Sequence, residues 1–148
     1  MNTKGRNHWL LAGGVLSAAA AVMHVAVIFG GADWYRFVGA GEGMARLAEG
    51  GSLTPHLITS AIVLGLALWA AYAFAGAGLL RRLPLMKTAL VTITAIYLLR
   101  GLALVPMLIL KPALIDPFSL WSSIIVLAYG IIHAVGTWHA WPGLTRRD

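Results

Sequence analysis

The chain has 148 residues, enough for one domain, and no cysteine, which excludes disulfides, thiolate nucleophiles, iron–sulfur clusters and cysteine-held zinc. Hydrophobic residues make up 59% and charged residues 11%, where an ordinary soluble domain carries about 25% charged. A soluble chain this small has no interior large enough for that much apolar surface, so the composition predicts an all-α membrane protein.

Four apolar tracts follow one another, at residues 9–30, 53–78, 88–110 and 118–139. Each is close to the ~20 residues that cross ~30 Å of hydrocarbon as a helix. The expected architecture is a four-transmembrane-helix bundle forming one integral membrane domain, with outer loops at 31–52 and 111–117. The first tract begins like a secretory signal, with basic residues and then Ser17-Ala18-Ala19-Ala20-Ala21, but it stays apolar to Gly30. That length predicts an uncleaved first helix.

The net charge of +6 reads as a topology signal and argues against nucleic acid as a partner. Lys4, Arg6, Arg81, Arg82, Lys87, Arg146 and Arg147 fall on one side of four crossings, and Arg36, Arg46 and Lys111 on the other. The asymmetry predicts cytoplasmic N- and C-termini, in a bacterial inner membrane. Trp9, Trp138 and Trp141 are expected near the cytoplasmic interface, and Trp34 and Trp121 near the outer one.

The first outer loop carries Asp33-Trp34-Tyr35-Arg36-Phe37, a glycine-rich stretch, and then residues 44–49 with helical spacing. Met44, Leu47 and Ala48 fall on one side and Arg46 and Glu49 on the other. This predicts a short amphipathic or re-entrant helix, with Glu42 near its positively polarised start. Such a segment serves either as a plain surface loop or as a lid over an outward-facing pocket. Thr54-Pro55 supplies a cap and first-turn proline for the second span.

Polar residues inside the spans carry most of the functional signal. Arg100 falls ~18 Å along the third span, counted at 1.5 Å per residue. None of the four tracts holds an aspartate or glutamate. Its candidate partners are therefore an outer-loop acid, Glu42 first, an anionic ligand, or an acid on another protein. His24, one stripe with Gly13, Ser17 and Ala21, lies at similar depth, and Tyr97 is one turn from Arg100. His56, Trp34 and Ser122 complete the candidate ligand contacts. His133 lies ~14 Å from His24 in depth, too far for the two to face one haem iron. A haem held by His24 and His56 remains the one arrangement that depth permits, and no metal-ligand spacing is present.

The leading functional expectation is a binding protein or small carrier. Arg100 holds the anionic or electronegative part of a small amphiphilic ligand, His24, His56 and Tyr97 supply hydrogen bonds, and Glu42 pairs with Arg100 in the empty pocket. The alternative is a structural subunit, or a homo-oligomer, that uses its small-residue stripes to meet a membrane partner. Intramembrane catalysis is the lesser alternative, since the polar fragments form no recognisable catalytic constellation. The plan resembles that of small multidrug transporters and of DoxX-like four-helix proteins. The coupling acid that the transporters carry in their first helix has no counterpart here, where that helix offers His24.

Overall fold

The computed structural model describes residues 5–145, so Lys4, Arg146 and Arg147 of the charge asymmetry lie outside the described residues. Among the described residues, all regular structure is helical. The elements are α1 (His8–Phe37), α2 (Glu42–Glu49), α3 (Thr54–Gly76), α4 (Met86–Leu102), α5 (Leu104–Leu110) and α6 (Pro117–Leu144), with a 3₁₀ turn at Pro112–Leu114. Among the described residues, four helical stretches are long and apolar enough to cross a membrane: α1, α3, the succession of α4 and α5, and α6. The described residues pack as two compact units, one of residues 17–68 and the other of residues up to Leu16 and from Trp69 onward.

In the 17–68 unit, α1 changes direction at Gly31, whose φ of 66° and ψ of −151° are not helical. Glycine takes this backbone without the Cβ clash that other residues meet. The first straight stretch of α1 thus ends at Gly30, and residues 32–37 form a separate turn. The indole of Trp34 lies against Gly30, where a side chain would collide with it. Beyond Gly39 and Gly41, both at positive φ, α2 forms over Glu42–Glu49, two residues longer at its start than the 44–49 periodicity predicts. Its apolar side is held: Val27, Tyr35 and Ala45 are nearly inaccessible, with Ala32, Val38, Met44 and Ala48 packed around them. α3 starts at Thr54, with Pro55 in its first turn, where the missing N–H costs nothing.

In the other unit, α1 is started by Asn7, whose Oδ1 accepts from the Leu10 amide at 3.1 Å and whose Nδ2 donates to the Gly136 carbonyl at 2.7 Å. Leu10, Ala77, Met86 and Leu90 form its core at that end. α4 and α6 pack closely: a Cβ on Gly101 would lie 2.7 Å from the Leu127 backbone, so only hydrogen fits there.

The third span, expected over 88–110, is one apolar stretch over Met86–Leu110 that a single turn residue, Ala103, divides into α4 and α5. Pro106 supplies the reason. It has no N–H for the Leu102 carbonyl, and its ring crowds that carbonyl, so the ladder breaks one turn earlier. α6 is longer than the expected 118–139. Asp116 caps it, accepting from the Ser119 amide at 2.9 Å and from the Ser119 hydroxyl at 2.7 Å. These bonds favour the charged carboxylate and hold the Asp116 pKa below its ordinary value.

Candidate functional site

The buried stripe of α4 runs through Ile93, Tyr97 and Gly101, and Arg100 lies beside it, three residues after Tyr97. It occupies the last turn, where the helix end is negatively polarised and favours a cation. Pro106 adds to that polarity by leaving the Leu102 carbonyl without its helical donor. The guanidinium Nη1 donates to the Ser123 hydroxyl of α6 at 3.1 Å. Ser123 is buried, while Arg100 itself remains exposed. The serine that Arg100 reaches is thus the neighbour of Ser122, whose hydroxyl turns back to the Ser119 carbonyl at 3.3 Å.

One turn deeper, Tyr97 is the centre of an aromatic cluster. Its ring meets Trp69 edge-on at 5.0 Å and Tyr129 edge-on at 5.7 Å, and it tilts against His133 at 5.0 Å. His133 is fully buried, with Nδ1 2.9 Å from the Tyr129 carbonyl. A carbonyl only accepts, so Nδ1 carries the proton and Nε2 is a bare acceptor. Among the described residues, Nε2 has no hydrogen-bond partner. Trp69, Tyr129 and His133 are cluster members absent from the expected ligand contacts. The signal for His133 lies in Gly13, whose missing side chain leaves the space that the imidazole fills.

The remaining expected residues fall in the 17–68 unit. His24 Nδ1 donates to the Ala20 carbonyl at 2.8 Å, a bond within its own helix that leaves Nε2 as the acceptor. His56, in the first turn of α3, sets its ring edge-on to Tyr35 at 6.5 Å, and its buried Nδ1 has no hydrogen-bond partner among the described residues. The Tyr35 hydroxyl accepts from Thr59 at 3.2 Å. Among the described residues, no hydrogen bond or ring contact joins His24 to His56, and no three His, Asp or Glu groups cluster as metal ligands.

Glu42 is expected opposite Arg100, yet within its own unit its carboxylate is held by other arginines. Arg36 grips it with Nε at 2.9 Å and Nη2 at 3.0 Å, and Arg46 adds Nε at 3.2 Å. The Arg36 hydrogen bonds, with those of Arg46, push the Glu42 pKa down to about 2. Arg36 also reaches Glu49 at 2.8 Å, lowering that carboxyl too, and Asp33 at 3.5 Å. The five charges form a clasp that ties α2 to residues 33–36.

Hollows open among the described residues of the α4/α6 unit. One, of about 510 Å³, opens at the end that carries Asn7, Gly76, Arg82 and His139, and none of the expected ligand contacts lines it. Another is a groove of about 300 Å³ between α4 and α6. No protein-family model, curated protein or solved structure matches the chain.

Proposed function

We propose that this chain is an integral protein of a bacterial inner membrane, with both termini cytoplasmic, that binds or carries a small amphiphile through Arg100. The observation that supports this reading is a guanidinium inside an apolar span that has a serine and a helix end for company, in tracts without any carboxylate. A bare arginine at that depth costs several kcal/mol even on lenient scales, about 2.5–3.5, and an anionic ligand removes that cost. The exposed N–H groups left over by Ser123 present a fork suited to a carboxylate or phosphate. The rings of Tyr97, Trp69 and Tyr129 provide apolar surface one turn away for the body of the ligand.

The test uses oleate and its uncharged alcohol as probes on purified protein. Wild type retains oleate in preference to the alcohol, and Arg100→Gln loses the preference while keeping its helical content. Equal retention of both probes by wild type contradicts the reading. If cross-linking in native membranes instead traps a stoichiometric foreign subunit through position 100, a partner acid is what neutralises Arg100.

A further inference from the structure

We propose that the groove between α4 and α6 is a binding site for one phospholipid with a net negative headgroup. The anionic phosphate end sits at Lys87 and an acyl chain runs along the groove. On α4, Lys87, Val91, Ala95 and Leu98 follow one another at three- and four-residue spacing, so they share one face. On α6, Ala134, Trp138 and Trp141 form the opposite wall. Thr94 and Thr137 also line the groove, and their hydroxyls lie 3.4 Å apart and bond to each other. Mutual satisfaction leaves a floor that a hydrocarbon chain covers without stranding a polar group. From Val91 to Leu98 the floor extends ~10 Å at the helical rise.

Charge decides the occupant. The Lys87 ammonium is held 4.4 Å from the Trp141 ring centroid, at the mouth of the groove. A cation over an indole keeps its N–H groups available at the rim. Arg82 lies at the same end, donating to the Leu144 carbonyl at 3.2 Å. The single acid among the described residues of this unit is Asp116, which caps the opposite end of α6. A hydrocarbon slot with a cation at one end, and no carboxylate near that end among the described residues of this unit, matches an amphiphile with an anionic head. Trp138, 79% exposed, and Trp141 bracket the level where such a head meets the acyl region.

This inference rests on the chain being membrane-embedded and is independent of the Arg100 site. Resistance of the protein to alkaline extraction from membranes tests the embedding by itself. Native mass spectrometry then compares retention of phosphatidylglycerol with that of phosphatidylcholine. Wild type retains phosphatidylglycerol preferentially, by about fivefold for one basic contact near the headgroups. Lys87→Gln brings the two lipids level, and Ala95→Phe, which fills the groove from an exposed position, lowers retention of both. Lys111→Gln, at an exposed position away from the groove, keeps the preference. A Lys87→Gln protein that still prefers phosphatidylglycerol, or an Ala95→Phe protein that still holds lipid, overturns the proposal.

Discussion

A Cβ placed on Gly13 would lie 2.7 Å from Cε1 of His133, so the imidazole rests on the bare backbone of α1. The contact explains how a fully buried histidine is accommodated among helices: one nitrogen bonds the Tyr129 carbonyl and the ring face meets Tyr97. Gly13→Val forces the ring out of that position. It is expected to cost ~1–3 kcal/mol, as overpacking of a filled interior does. Gly65→Ala, at a helix position with open space around it, is expected to stabilise by about 1 kcal/mol. Thermal unfolding in detergent measures both, and equal shifts of the same sign contradict the packing described.

The clasp of Arg36 on Glu42 and Glu49 has a pH dependence of known sign. The folded-state pKa of Glu42 is lowered from 4.5 to about 2, so the stabilisation is fully present above 4.5 and disappears as pH falls through 2. Hydrogen exchange of the α2 amides is therefore expected to be flat from neutral pH to about 5, after correction for intrinsic rates, and to accelerate below it. Arg36→Gln removes three of the four bonds to these carboxylates and accelerates exchange at neutral pH. Unchanged exchange in that variant would show that the apolar side of α2 alone holds the segment.

Pro106 predicts a third measurable effect. Pro106→Ala gives the Leu102 carbonyl a donor and lets α4 and α5 join into one helix. The amides of residues 103–107 are expected to exchange more slowly, with a gain in stability bounded by the ~3 kcal/mol that proline costs in a regular helix. Unchanged exchange there means that packing, and not the proline, imposes the break.

Much of this architecture is legible in the sequence because hydropathy and glycine act locally. The end of the first tract at Gly30, the short helix around Glu42 and the proline start of α3 each depend on a few neighbouring residues. Pro106 was equally visible, but the unbroken hydropathy of 88–110 hides a break that removes no apolar residue. The partner of Glu42 was hidden for a different reason. Arg36 meets it because Gly39 and Gly41 turn the backbone at positive φ, and nothing in the charge pattern reports that path. The choice of Ser123 over Ser122 is a matter of 100° of helix rotation, which the facing helix sets.

The absence of cysteine makes the proposed topology directly testable. Ala40→Cys and Ala113→Cys, both at exposed sites in the expected outer loops, should react with a membrane-impermeant maleimide in intact cells. Leu80→Cys, exposed in the connection between α3 and α4, should react only after permeabilisation. The reverse pattern contradicts cytoplasmic termini.

Native mass spectrometry of the protein extracted gently from its own membranes decides whether an anionic amphiphile neutralises Arg100. Wild type is expected to carry a discrete extra mass that fragments as an acid-bearing amphiphile, and Arg100→Gln to lose that species while retaining lipid at the α4/α6 groove. An Arg100→Gln protein that carries the full set of species bound to wild type, or a bare wild-type polypeptide that also fails to retain added oleate, contradicts a ligand at Arg100.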